Sequence, residues 1–197
     1  MKRISHALLA LMFVAAAFAR GADDKPKETP YYPLKLGTTW SYKAGDVTIT
    51  SKVAKWEEMA DQQCARIEAS AGGKLAAVEH VAVKEDGVYR FAYGGVKADP
   101  PLMFLKLPPV KGKTWDAGTT IGTTKVTGTF TSDMVDEVVV PAGTFKNIYM
   151  CTADCESGGV KLTIKSFFAK DIGMIKQVIK SADQEVTVEL EKFEPGK

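Results

Sequence analysis

The sequence predicts an all-β fold, a single antiparallel meander of about ten strands curved into a half-barrel or flattened barrel. Short runs with period-two alternation, rich in Thr, Val and Ile, recur along the chain, as in Val47–Val53 and Glu185–Leu190. Turn residues such as Gly72-Gly73 and Pro141-Ala142-Gly143 separate these runs. No stretch of ten or more residues shows the apolar stripe of an amphipathic helix, so strands are expected throughout.

The first residues have the composition of a secretory signal peptide. Lys2 and Arg3 precede an apolar run that ends in the small-x-small pattern Ala17-Phe18-Ala19. We therefore expect residues 1–19 to be a signal peptide, residues 20–30 a flexible polar leader and residues 31–195 a single β domain. No later segment approaches the ~20 apolar residues of a membrane-spanning helix. The expected product is an exported, soluble protein, periplasmic or extracellular.

The charge balance excludes one class of partner. The chain has 26 lysines and arginines and 24 aspartates and glutamates, and Lys2 and Arg3 belong to the predicted signal peptide. The remaining 24 basic residues equal the acidic ones in number. Nucleic-acid binding usually depends on a basic surface that releases counterions from phosphates. We therefore expect no nucleic-acid partner, while the oligomeric state stays open.

Two parts of the sequence align with each other. Gly72–Tyr93 aligns without gaps on Gly158–Ile179 at an offset of 86 residues. Upstream, Gly37-x-x-Trp40 is echoed by Gly112-x-x-Trp115 at an offset of 75, so the second part carries 11 extra residues. An internal two-fold repeat is one interpretation, and chance similarity between evenly spaced hairpins is the other.

The repeat interpretation divides the domain into half-repeats of residues 33–97 and 108–193. Two proline pairs flank an apolar segment, Leu102–Leu107, at the join between them. Proline lacks the backbone N–H that a sheet ladder needs. We therefore expect both ends of this segment to stay out of the sheet, which leaves it as a structural plug or a mobile lid.

Three motifs, Pro33–Tyr42, Val140–Phe145 and Phe167–Lys176, resemble a recurring pattern. It occurs in bacterial exported β proteins of unknown function of the TapB-like type. Their fold is similar to the curved half-barrel of the lipoprotein carriers LolA and LolB. The resemblance spans about Tyr32 to Phe193 and implies this fold and an exported location. It supplies no catalytic residue, and the helices that cap the carriers' concave face have no counterpart in this sequence.

Residues for common catalytic and metal sites are scarce. His80 is the only histidine after the predicted signal peptide, and its alternation with Val81 and Val83 predicts that it faces solvent. Cys151-x-x-x-Cys155 lacks the two-residue spacing of redox and zinc motifs. We expect no enzymatic activity, no metal and no cofactor, with a hydrolase as the less favoured alternative.

The three cysteines leave two alternatives open. On one continuous strand, Cys151 and Cys155 would lie roughly 13 Å apart. A disulfide needs Cα atoms within about 7 Å. Either Cys64 pairs with one of them in an oxidising compartment, or all three are buried free thiols.

Aromatic residues supply the candidate binding site. Tyr89, Phe91 and Tyr93 alternate, which predicts a stripe on one face of a strand. The candidate ligand-binding residues are Tyr89, Phe91, Tyr93, Met103, Phe104 and Trp115. Filling of the core by the same rings is the alternative. The functional hypothesis is a non-enzymatic envelope protein that binds an apolar ligand or lipid on a concave sheet face. The rival hypothesis is a protein–protein interaction or structural module with a filled core.

Overall fold

The computed structural model describes residues 26–182 and 184–197, so the predicted signal peptide and the start of the predicted leader lie outside the described residues. Twelve antiparallel strands form a closed barrel. They are β1 Thr39–Ala44, β2 Val47–Met59, β3 Gln62–Ala71, β4 Lys74–Val83, β5 Gly87–Tyr93, β6 Val96–Lys106, β7 Thr114–Ile121, β8 Thr124–Val140, β9 Gly143–Ser157, β10 Val160–Ala169, β11 Gly173–Ser181 and β12 Gln184–Glu194. The prediction of an antiparallel all-β meander is confirmed.

Of the two predicted shapes, the half-barrel is wrong, because the sheet closes on itself into a barrel, and the strands number twelve instead of about ten. The first strand, β1, pairs with the last, β12, from Thr39 opposite Glu194 to Lys43 opposite Glu189. Closure pairs the backbone N–H and C=O groups of the first and last strands, which a half-barrel would leave open to pairing with other chains. This pairing joins residues about 150 positions apart in the sequence, whereas hairpin pairs are near neighbours and have turn residues between them.

Alternate connections of a meander lie at opposite ends of a barrel. The turns of the hairpins β1–β2, β3–β4, β5–β6, β7–β8, β9–β10 and β11–β12 lie at one end, which we call the hairpin end. Each is two residues long, and five of the six begin with a glycine at positive φ. Such turns match the right-handed twist of the strands. The other connections and both described termini lie at the opposite end, the terminal end.

The terminal end is filled with aromatic side chains. Those that are buried there include Trp40, Tyr42, Trp115, Phe130, Tyr149 and Phe168. The segment that precedes β1 also enters this end. Its Leu34 is fully buried, its Tyr32 ring packs edge-on against Phe104 at 5.4 Å, and the Asp171 N–H donates to the Pro30 carbonyl at 2.7 Å. The chain therefore plugs its own barrel from the terminal end.

The proline-flanked segment is part of strand β6. The prediction that it stays out of the sheet is wrong for the edge that faces β5. Leu102 to Lys106 pair with β5. On the other edge, pairing with β7 covers only Ala98 and Asp99 and stops before Pro100. Beyond that point side chains replace the missing backbone donors. Trp115 Nε1 donates to the Met103 carbonyl at 3.3 Å, Tyr149 Oη to that of Lys106 at 2.7 Å and Cys151 Sγ to that of Phe104 at 3.6 Å.

The β8–β9 hairpin, the longest in the barrel, also covers the terminal end. Its far part bends over the terminal end, where Val138, Val140 and Ile148 are buried. At its tip the Ala142 N–H donates to the Leu190 carbonyl of β12 at 2.9 Å. The hairpin thereby reaches across the barrel rather than only extending its wall.

The halves β1–β6 and β7–β12 correspond strand for strand. At the entry to each, the Gly37 N–H donates to the Val53 carbonyl at 2.9 Å, and the Gly112 N–H donates to the Ser132 carbonyl at 2.8 Å. Strands β7, β8 and β9 are two, four and five residues longer than β1, β2 and β3, which accounts for the 11 extra residues. The extra residues therefore lengthen strands instead of adding an element.

Candidate functional site

Burial of the interior-facing residues falls from one end of the barrel to the other. Directly paired residues of an antiparallel sheet share a face, so the register identifies which residues face inward. Near the terminal end these residues are buried: Val53, Val81, Val88, Trp115, Phe130, Ala153, Phe168, Ile175 and Leu190. Nearer the hairpin end they are half-exposed: Ile49, Ala77, Ile121, Val126, Cys155, Ile179 and Val188.

Three inward-facing valines near the hairpin turns are exposed. Val47, Val160 and Val186 each expose about half of their surface, at 49%, 51% and 50%. Beside the β6–β7 pairing, by contrast, Ala98 and Thr119 stay buried. The interior is therefore filled at the terminal end, and its face becomes solvent-exposed toward the hairpin end. We call this exposed part of the interior face the lumen.

One ion pair lies on the wall of the lumen. Arg90 Nε donates to Glu79 Oε2 at 2.8 Å, and the register places both residues on the interior face opposite Val81 and Ile67. The guanidinium carbon also lies 5.4 Å from the Phe104 ring centroid and 5.5 Å from that of Tyr93.

The charged and aromatic groups of the lumen influence one another's ionisation. Burial lowers the pKa of Arg90, but the neighbouring Glu79 carboxylate and Tyr32 outweigh it and raise the pKa overall. Burial raises the pKa of Tyr32, and Glu79 raises it further. The phenol therefore stays neutral and the guanidinium charged. The wall of the lumen therefore carries one positive and one negative charge that are paired with each other.

The predicted aromatic stripe does not form, because a β-bulge interrupts β5. The register shifts between Arg90 and Ala92, which turns Tyr93 inward opposite Glu79. Tyr89 and Phe91 instead pack on the outer face around Cys64 and Ala82, where Lys84 Nζ lies 5.0 Å and 5.2 Å from the two ring centroids. Two of the three predicted stripe residues therefore lie outside the lumen.

The other predicted site residues belong mainly to the plug. Phe104 packs on Tyr32, and Trp115 stacks on Phe130 at 5.4 Å between ring centroids. Met103 is half-buried opposite Tyr89. The structure thus brings Tyr93 and Phe104 together around Arg90 and keeps Tyr89 and Phe91 apart from them. Sequence reasoning missed Glu79 and Arg90, although charged residues in a strand with buried valines are a usable signal.

His80 was predicted to face solvent, and that prediction is wrong. It is on the outer face of β4 but is only 6% exposed, because the neighbouring outer-face side chains cover it. Its Nε2 lies 2.6 Å from Glu57 Oε2, and Nδ1 has no partner among the described residues. Hydrogen bonds from Lys55 and His80 lower the pKa of Glu57 to about 2. This pair is separated from the lumen by the thickness of the sheet.

All three cysteines are free thiols. Cys64 is buried in the outer-face cluster, whereas Cys151 faces the interior from β9. Burial raises the pKa of each of these two thiols to about 12. The structure therefore agrees with the second alternative in that the thiols are free, but only two of the three are buried, because Cys155 is half-exposed.

A groove of about 930 Å³ runs along the outer face of β7 to β11. Two of its three carboxylates accept hydrogen bonds: Thr129 Oγ1 donates to Asp116 Oδ1 and Thr163 Oγ1 to Asp154 Oδ1, both at 2.7 Å. Within the described residues no group of three or more His, Cys, Asp or Glu side chains could hold a metal ion. The described part of the chain also contains no helix long and apolar enough to cross a membrane.

Two solved structures share this fold. A candidate lipoprotein from Parabacteroides distasonis ATCC 8503 is 11% identical with a TM-score of 0.55, over 85% of this chain and 100% of that one. A candidate exported protein with a YmcC-like fold from Bacteroides fragilis NCTC 9343 is 12% identical with a TM-score of 0.51, over 84% of this chain and 99% of that one. At these identities the likeness shows the fold alone.

No protein-family model and no curated protein matches the chain. The resemblance to TapB-like proteins and to LolA and LolB is not shown by these comparisons. The fold that they do support is the one described as YmcC-like in the Bacteroides fragilis protein.

Proposed function

We propose that this chain is an exported, non-enzymatic envelope protein that holds an apolar ligand in the lumen. The observation that carries the proposal is the burial gradient: the buried aromatic residues concentrate toward the terminal end, and inward-facing apolar side chains such as Val47, Val160 and Val186 are exposed toward the hairpin end. Apolar surface kept in contact with water costs roughly 25 cal/mol per Å², so an apolar occupant would be stabilised there.

Two further observations support the proposal. The amino-terminal composition is typical of a signal peptide, and the two structural neighbours are described as a lipoprotein and an exported protein. The one histidine of the described residues lies on the outer face with Glu57, away from the lumen. Binding without catalysis fits this arrangement better than hydrolysis does.

Lumen volume can be reduced without touching the plug. Ala69 and Ala77 face each other across β3 and β4 on the lumen wall, and both are half-exposed. The double variant Ala69→Phe with Ala77→Phe places two rings in the lumen. We expect it to abolish the fluorescence enhancement that the apolar probe N-phenyl-1-naphthylamine shows with the unmodified protein.

The matched control is Val78→Phe, which adds a ring on the outer face of the same strand, opposite Glu68. It should leave probe binding unchanged. Native mass spectrometry and solvent extraction of the purified protein give an independent reading of any bound compound. Equal probe binding by the lumen and control variants, or no probe binding and no extractable compound, would contradict the proposal and favour a filled interaction module.

A further inference from the structure

The polar groups inside the barrel indicate which head group a lumen ligand would carry. The lumen wall is built mainly of apolar side chains such as Ile121, Val126 and Ile179. Glu79 and Arg90 face the same interior as an ion pair. Their side chains are 23% and 28% exposed, so neither charge is sealed off by its neighbours. A ligand that enters the lumen can therefore contact both.

The Glu79–Arg90 pair has no net charge but has spare hydrogen-bonding capacity. Arg90 Nε donates to one Glu79 oxygen at 2.8 Å. A guanidinium has more N–H donors than one carboxylate accepts, and a carboxylate has lone pairs beyond those that one guanidinium uses. An anionic head group at Arg90 would also meet the Glu79 carboxylate, and a cationic one at Glu79 would meet the guanidinium. Either would lose its hydration without a net attraction in return, whereas an uncharged polar head can bind both residues.

A second polar pair faces the interior from β10 and β11. Gln177 Nε2 donates to Ser166 Oγ at 3.0 Å, and both residues are half-buried. The register places them on the interior face in one row with Cys151 and Val188. In the ring of twelve strands, β10 and β11 lie opposite β4 and β5. The interior therefore presents uncharged hydrogen-bonding groups on one side and an ion pair without net charge on the other.

From these groups we propose that the lumen ligand is an amphiphile with an uncharged, hydrogen-bonding head group, of the kind that a monoacylglycerol carries. The hydroxyl and ester groups of the head bind at Glu79 and Arg90. The acyl chain runs from there along the apolar side chains nearer the hairpin end. This inference rests on the proposed function, because it names the class of ligand for the same interior.

Three amphiphiles with the same twelve-carbon chain test the head group by displacing N-phenyl-1-naphthylamine. Monolaurin is uncharged, laurate is anionic and dodecylammonium is cationic, and each is used below its critical micelle concentration. With the unmodified protein we expect monolaurin to displace the probe at the lowest concentration. Laurate and dodecylammonium should be about equally weak, because the site carries one charge of each sign. Tighter binding of either charged amphiphile than of monolaurin would overturn the inference.

Removing one charge should change the preference in a direction set by the charge that remains. Glu79→Gln leaves the Arg90 charge uncompensated and should strengthen displacement by laurate about tenfold. Arg90→Gln leaves the Glu79 charge and should strengthen displacement by dodecylammonium by a similar factor. Glutamine keeps a hydrogen-bonding group at each position, and urea midpoints show whether each variant is folded. Each amphiphile is compared with itself across the variants, so differences in water solubility cancel.

The matched controls are Arg66→Gln and Glu68→Gln on the outer face of β3, where Arg66 Nε donates to Glu68 Oε1 at the same distance of 2.8 Å. They should leave all three displacement curves unchanged. Equal shifts in the interior and outer-face variants, or no shift in folded interior variants, would overturn the inference. If either interior variant does not fold, the order of the three amphiphiles on the unmodified protein decides.

The same measurements separate this inference from the proposed function. Absence of probe binding by the unmodified protein would contradict the proposed function itself. Probe binding that all three amphiphiles displace equally well would leave lumen binding in place and overturn only the assignment of the head group.

Discussion

Tyr149 tests whether side-chain hydrogen bonds stabilise β6 where its backbone hydrogen bonds to β7 are missing. Its hydroxyl donates to the Lys106 carbonyl at 2.7 Å. The Leu107 N–H of the same peptide unit donates to the Asp86 carbonyl, so the Lys106 carbonyl points away from β5 and toward Tyr149. Tyr149→Phe removes this one donor and keeps the ring that packs against Tyr31 and Phe168.

The expected cost follows from the burial of the pair. Tyr149 is 0% exposed, and deleting one partner of a buried hydrogen bond costs about 1–3 kcal/mol because the other partner loses its solvation without compensation. The ring contacts remain, so no cavity contributes. For a chain of this size, each kcal/mol lowers the melting temperature by about 2–4 °C.

Urea denaturation followed by tryptophan fluorescence measures the free energy of unfolding. The midpoint should fall and the slope should stay the same, because the variant changes stability and not the surface exposed on unfolding. Burial raises the pKa of Tyr149, so the hydroxyl remains a donor and the loss should be equal at neutral and mildly alkaline pH.

Tyr89→Phe is the matched control, since its hydroxyl donates to the exposed Asp86 carboxylate at 2.9 Å. We expect it to cost less than about 0.5 kcal/mol. If Tyr149→Phe were no more costly than Tyr89→Phe, side-chain replacement of the ladder would be of no energetic consequence, and the account of β6 given above would be refuted.

Three further outcomes can be measured. Gly128→Ala should destabilise by about 1–3 kcal/mol, because its new Cβ would lie 2.6 Å from Cys155 Cβ and 2.8 Å from the Asp154 carbonyl. Gly118→Ala, whose nearest neighbour is the Thr127 methyl at 3.3 Å, should cost less in the same urea experiment, and the reverse order would contradict the packing argument. The pKa of Glu57 is lowered to about 2, so its contribution to stability is present above pH 4.5 and is lost as the pH falls toward 2. The stability difference between the unmodified protein and Glu57→Gln should therefore shrink over this interval in acid titrations, and a constant difference would exclude the effect. Finally, Cys155 should react with a thiol reagent before the buried Cys64 and Cys151, and a reductant should not change the melting temperature.

The turn chemistry of the sequence predicted the local part of the fold. Glycine pairs such as Gly72-Gly73 and Gly158-Gly159 are the β3–β4 and β9–β10 turns, because L-residues adopt positive φ only at a cost. Closure could not be predicted in this way. The pairing of β1 with β12 is set by the twist and stagger of all twelve strands together, and no local residue pattern encodes it.

The residues of the candidate site also could not be predicted from local sequence patterns alone. Alternation placed Tyr89, Phe91 and Tyr93 on one face, but a single bulge residue in β5 reverses the face of everything after it. Bulges have no dependable sequence signature. The prediction for His80 was wrong for a related reason: alternation predicts which face a residue is on, whereas its burial depends on side chains of other strands, such as Glu57 of β2.

The N-terminal plug and the C-terminus both lie opposite the hairpin end, where the Gly196 N–H donates to Thr38 Oγ1 at 3.0 Å. Strands of about ten residues separate the two ends by roughly 30 Å of chain length. A tether, label or fused domain at either terminus would therefore be held at the base of the molecule. The hairpin end would then point away from the point of attachment, which gives the molecule a defined direction.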